Sequence, residues 1–216
     1  MRVKKALCNI AIGILFTLFL ISIGVIAVVN CRSIYRYDVK HLNLVEETGY
    51  SKEEILKNYD ALIDYCSPFN HEELRFPTLP SSDSALSHFE EVKNIFVSFY
   101  FILPITTILL IMAILYKRKR SEYMYLRTSA ITCIILPLIV AGGSAINFDR
   151  TFVLFHKILF NNDDWIFDPR TDPIITLLPE EFFLHCALFI VAVVLLGSLF
   201  LYLLYRRQKI NLGGIN

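Results

Sequence analysis

The sequence predicts an α-helical membrane protein with four transmembrane helices, a small mixed α/β extracytoplasmic cap and both termini in the cytoplasm. Three observations predict it. The 216-residue chain is 55% hydrophobic, with a mean hydropathy of +0.53, more apolar than a soluble domain of this length. Four stretches reach the roughly 20 helical residues that a hydrocarbon core of about 30 Å requires. Lysine and arginine gather at alternate ends of those stretches, which orients them. The formal net charge of +1 leaves no basic field for nucleic acid, and no nucleic-acid partner is expected.

Residues 1–29 read as an N-terminal anchor helix. Its apolar run, 6–29, follows MRVKK and is too long for a cleaved signal, and no A-x-A site comes after it. AVVNC at 27–31 has Asn30 where a lipobox carries a small residue. Residues 94–147 read as a transmembrane hairpin, with spans at 94–116 and 128–147, and 182–216 as the last span (182–205) with a basic tail. The basic blocks are Arg2, Lys4 and Lys5; Lys117 to Arg120 with Arg127; and Arg206, Arg207 and Lys209. All three fall on one side, so they are cytoplasmic and the loops 30–93 and 148–181 face outward.

In the first outer loop, SKEEILKNYDALIDYC at 51–66 predicts an amphipathic helix. Ile55, Leu56, Tyr59, Leu62 and Ile63 share a face, Ser51 with Glu54 makes a capping box, and Tyr50 with Ile55 a staple. After Pro68 the chain is expected to be irregular, until Asp83 or Ser84 caps a helix running straight into the span at 94–116. The second outer loop predicts a β-hairpin: FDRTFVLFHKILF as one strand, NNDD at 161–164 as the turn and WIFDP as a short return strand. Five cysteines, Cys8, Cys31, Cys66, Cys133 and Cys186, contain no CxxC pair and read as no zinc framework. Cys31 and Cys66 share a loop, either bridged or as two thiols. GGSAI at 142–146 lacks the last glycine of a G-x-S-x-G elbow and reads as a helix-packing segment.

Histidine is the residue type that points to chemistry. All five, His41, His71, His88, His156 and His185, fall outside the cytoplasmic side. His185 lies in the first turn of the last span and reads as an interfacial anchor. His88 has Glu91 three residues on, in reach to orient its ring. His156 would share an apolar strand face with Leu154 and Ile158. Such a histidine is often a satisfied core residue, but a chain this small has little core to satisfy it, so His156 reads as functional. Asp163, Asp164, Asp168 and Asp172 do not follow EF-hand spacing and read first as turn and cap residues.

FHKILFNNDDWIFDPRTDPIITLLPEEFF at 155–183 and LSHFEEVK at 86–93 resemble a bacterial family of four-span integral membrane proteins that includes the lipoprotein intramolecular transacylase, Lit. The resemblance extends to the topology. It implies a cell-membrane enzyme whose substrate is a diacylated lipoprotein, from which one acyl chain moves to the free α-amine of the N-terminal cysteine, giving the lyso form. It implies that His156 and His88 are the catalytic histidines. Glu91 stands where many members have Asp, a methylene longer. Transfer from ester to amide is downhill and needs no cofactor or metal. A neutral imidazole takes the amine proton and returns it to the glycerol oxygen. Arg150 or Arg170 would join His88 as oxyanion donors, with Asp168 and Asp172 in support. Lipid is the other expected partner, and the site faces outward. Two alternatives stand beside this reading. One is a metal-dependent membrane hydrolase with His88, His156, His185 and an acid such as Asp172 as ligands. The other is a non-enzymatic membrane accessory subunit.

Overall fold

The computed structural model describes residues 2–213, and they form nine helices in the order α1 (Arg2–Asn30), α2 (Arg32–His41), α3 (Leu44–Thr48), α4 (Lys52–Tyr65), α5 (Asp83–Lys119), α6 (Met124–Ile146), α7 (Phe148–Leu159), α8 (Ile174–Leu177) and α9 (Glu180–Gly213). Three of them, over Val3–Asn30, Asp83–Lys119 and Glu180–Ile210, are long and apolar enough to cross a membrane. Helix α6 carries a shorter apolar stretch, Met124–Ile139. No strand occurs among the described residues, so the expected mixed α/β cap is all-helical.

The chain divides into two compact units. The first contains residues 1–25, 101–145 and 189–216. Here the apolar stretches pack on one another around Ile12, Phe16, Leu110, Leu126, Cys133 and Val194. A Cβ at Gly13 would lie 2.7 Å from Thr132 Oγ1, so only glycine lets α1 come this close. The expected packing role of the small residues at 142–146 is not seen at Gly142, whose Cβ position has nothing within 4 Å. Buried Lys117 donates to Glu122 at 3.0 Å, and Lys5 reaches the other carboxylate oxygen at 2.8 Å, so one carboxylate bridges the two ammonium groups.

The second unit contains residues 26–100 and 146–188. Its core joins Tyr35 and Val39 of α2, Ile55, Tyr59 and Leu62 of α4, Ile174 and Leu177 of α8, and Phe182 of α9. Full burial of an aliphatic side chain contributes roughly 1.5–3 kcal/mol, so these few residues are enough to dock the short helices. Tyr35 stacks on Tyr59 at 3.7 Å between centroids, and its hydroxyl donates to Leu177 O at 2.7 Å. Helix α4 forms as its pattern predicts: Ser51 Oγ accepts from Glu54 N at 3.2 Å. Helix α2 was not evident in the sequence. It buries Tyr35, Asp38 and Val39, spaced i, i+3, i+4. Helix α3 ends where Gly49, at φ 75°, donates to Val45 O at 3.0 Å, a left-handed cap suited to glycine. Helix α5 runs without a break from the cap into its apolar stretch, as expected, but its cap is Ser82, whose Oγ accepts from Ala85 N at 3.2 Å, and not Asp83 or Ser84. Cys31 and Cys66 are free thiols.

The largest departure is at 148–181, where the predicted β-hairpin is replaced by a helix, a turn and a short helix. The physical reasons lie in the sequence. Asn147 Oδ1 accepts from Arg150 N at 2.8 Å and caps the first turn. Phe148, Phe152, His156 and Leu159 then recur at helical spacing, making α7 strongly amphipathic. A lone apolar run of this length fits a helix as well as a strand, and an isolated hairpin has no third strand to hold it.

Candidate active site

The second unit brings His88 and His156 together. Helix α5 presents His88 from its first two turns and α7 presents His156 from its last, and the ring centroids are 5.9 Å apart. Both are buried, at 6% and 9% exposure. The wall around them is aromatic. Phe160 lies 4.7 Å from His88 and 5.6 Å from His156, Phe167 lies 5.6 Å from His88, and Phe152 and Trp165 lie 4.2 and 4.9 Å from His156.

This wall sets the protonation of both imidazoles. Burial pushes His88 down to about 4, and the neighbouring His156 adds to the shift, partly offset by Asp164. Burial also lowers His156, against a hydrogen bond to backbone that favours its charged form. Both rings are therefore neutral at pH 7. The bond also fixes a tautomer. His156 Nδ1 lies 2.9 Å from Phe152 O, a carbonyl that only accepts, so Nδ1 carries the proton and donates it. Nε2 is left with its lone pair. His88 Nδ1 is buried with no hydrogen-bond partner in the protein.

The turn after α7 supplies groups that the sequence reading passed over. Asn162 Nδ2 donates to Glu91 Oε1 at 2.8 Å, Asn162 Oδ1 accepts from Asp164 N at 3.1 Å, and Asn162 O accepts from Trp165 Nε1 at 3.1 Å. One asparagine thus joins Glu91 of α5 to the tryptophan beside His156. Within NNDDW the only visible signal was a turn; that its second Asn uses its side-chain amide on α5 needs the fold to be seen. Asp164 is held by Ser87 Oγ, which donates to Oδ2 at 3.0 Å.

The other expected site residues make contacts other than the expected ones. Glu91 does not hydrogen-bond His88; it bonds Asn162. Exposed Arg150 lies about 120° around α7 from His156. Arg170 forms a surface pair with Asp168, Nη2 to Oδ2 at 2.6 Å, and its side chain is 89% exposed. The guanidinium holds the Asp168 carboxyl down at about 2. Asp172, 2% exposed, accepts from Ser82 N at 2.6 Å, Ser82 Oγ at 2.9 Å and Thr171 Oγ1 at 2.7 Å. It therefore ties the start of α5 to the segment before α8. His185 Nδ1 pairs with fully buried Asp38 at 2.8 Å and lies near His41, with ring centroids 6.3 Å apart. Among the described residues, no three His, Cys, Asp or Glu side chains gather as a metal site requires.

A buried, neutral pair of imidazoles, one with a free base nitrogen, suits proton transfer in a dry pocket. Comparison with known proteins gives the family of the chain. The family described as lipoprotein intramolecular transacylase Lit matches residues 10–183. The chain belongs to that family. Among solved structures, the membrane-integral lipoprotein intramolecular transacylase Lit from Bacillus cereus is 36% identical, with a TM-score of 0.91 over 98% of each chain. A variant of that enzyme with a histidine-to-arginine substitution gives 36% identity and a TM-score of 0.87, over 99% of this chain and 95% of that one. A histidine-to-alanine variant gives 36% and 0.85, over 96% and 94%. No curated protein matches.

Proposed function

We propose that this chain transfers one acyl chain from the diacylglyceryl group of a lipoprotein's N-terminal cysteine to that cysteine's own α-amine, with His156 as general base and acid. It is a lipoprotein intramolecular transacylase by family, a match that covers residues 10–183. The observation that carries the role of His156 is its free Nε2, left by the bond from Nδ1–H to Phe152 O in an aromatic pocket shared with His88.

The reaction then runs in balance. The amine nitrogen attacks the ester carbonyl as His156 Nε2 takes one of its protons. A tetrahedral intermediate forms, and an N–H of His88, which has no partner inside the protein on Nδ1, donates to its oxyanion. The intermediate collapses, the ester C–O bond breaks, and the glycerol oxygen takes the proton back from His156. An amide and a free hydroxyl result, with no proton gained or lost. Both reacting groups sit on one substrate molecule, so the pocket need only fold the lipid into contact distance. The aromatic wall keeps bulk water out, which guards against hydrolysis of the ester.

In this reading α6 is the fourth span, the lysine- and arginine-rich ends of the chain face the cytoplasm, and the second unit faces outward, where lipoproteins carry their lipid. The test is a mass spectrum of a reporter lipoprotein's N-terminal lipopeptide from bacteria without any N-acylating enzyme. An N-acylated, singly O-acylated peptide is expected with the chain, and its yield falls about 10²–10⁴-fold with His156→Ala. A free amine on a diacylated peptide despite good expression would remove the reading.

A further inference from the structure

Glu91 carries a carboxylate that the chain itself leaves half used. Oε1 accepts from Asn162 Nδ2 at 2.8 Å, while Oε2 is buried and has no hydrogen-bond partner in the protein. No lysine or arginine makes an ion pair with it among the described residues. The nearest basic residue on the same helix, Lys93, is turned to Asn70 O at 2.8 Å and to the Tyr65 ring. The histidine one turn before it, His88, is kept neutral by burial and supplies no compensating charge. A carboxylate oxygen out of water without a partner is costly, and a cationic ligand bound there would offset that cost.

The substrate of the proposed reaction carries one cation at the point of chemistry, the α-ammonium of its N-terminal cysteine. We propose that Glu91 Oε2, with the carboxylate held in place by Asn162, is the receptor for that ammonium. This inference rests on the transacylase reading and adds to it the recognition of a free amine. It also assigns Glu91 a different role from orienting the His88 ring. Binding precedes chemistry: the ammonium is held as a cation, passes one proton to the Glu91 carboxylate, and then reacts as the neutral amine. Asn162 acts as a positioning residue. Its amide fixes Oε1, and its other polar groups are bound in the same turn, so the Oε2 lone pairs stay free. A substrate whose amine is already acylated has no charge for Oε2, and the site discriminates against it.

The test is binding of unreactive lipopeptides to the full chain in nanodiscs. Both probes carry ether-linked alkyl chains, one with the α-amine and the other with hydrogen in its place. Turnover of the matching ester lipopeptide is followed in parallel. Wild type is expected to bind the amine probe about tenfold or more tighter, the scale of one charge-assisted hydrogen bond. Glu91→Gln removes that preference and leaves the deamino probe's affinity unchanged, and Asn162→Ala weakens the preference. Equal affinity of wild type for the two probes overturns the inference, as does a preference that survives in Glu91→Gln. Absence of ester turnover by wild type instead removes the transacylase reading itself.

Discussion

Acidification probes the burial of His88, and its size follows from the pocket. In water the imidazole takes a proton near 6.5; among Phe89, Phe160 and Phe167 it does so only at about 4. Between these values the unfolded chain binds a proton that the folded chain excludes, so stability falls as the pH drops from 6.5 toward 4. Above 6.5 both states are neutral at this position, and below 4 both are charged, so the effect is confined to that window. A fall from 6.5 to about 4 corresponds to about 3 kcal/mol. His88→Phe removes the titrating group and fits an already aromatic site. Unfolding in detergent can be followed by Trp165, the single tryptophan of the chain, whose ring lies 4.9 Å from His156. Wild type should lose about 3 kcal/mol more than His88→Phe between pH 6.5 and 4. Parallel losses in the two proteins would refute the burial of a neutral His88.

Other consequences are independent of that one. Asp172→Ala leaves the Ser82 N–H and two hydroxyls without their acceptor, and should destabilise the second unit by about 2–4 kcal/mol in thermal unfolding. His185→Ala strands the fully buried Asp38 carboxylate and should cost about 3 kcal/mol of stability, while acyl transfer per folded molecule stays close to wild type. Arg170→Ala, which breaks only an exposed pair with Asp168, should leave transfer by purified protein within about twofold. A larger loss would place Arg170 in the oxyanion site instead.

How much of this was legible depends on which force shapes each segment. Helix α4 is set locally, by the Ser51 cap and one apolar face, and its pattern is visible in the residues. The unbroken passage of α5 from cap to apolar stretch was visible for the same reason: no proline or glycine interrupts 83–103. Helix α2 was not visible, because what stabilises it is distant: Tyr35 stacks on Tyr59 and bonds to Leu177. The pairing of His88 with His156 followed from the two motif blocks, and their meeting agrees with it. The third histidine of the metal alternative, His185, has no local pattern linking it to the pair, and the structure takes it to Asp38. The Asn162–Glu91 bond spans 71 residues of chain, and no local pattern announces it.

The misread segment matters more than its length suggests, because secondary structure here decides chemistry. On a strand, His156 would stand beside Leu154 and Ile158, and no backbone carbonyl of its own element would lie under its ring. On a helix, the side chain leans toward the preceding turn, over the residue at i−4. That residue is Phe152, and its carbonyl takes the Nδ1 proton at 2.9 Å. The helix thus does for His156 what an acidic partner does in many catalytic histidines: it fixes the tautomer and the ring plane. It does so without adding a charge to the aromatic pocket, and so leaves burial free to keep the imidazole neutral. A base that is neutral at pH 7, with Nε2 unprotonated, is what abstraction of an amine proton requires.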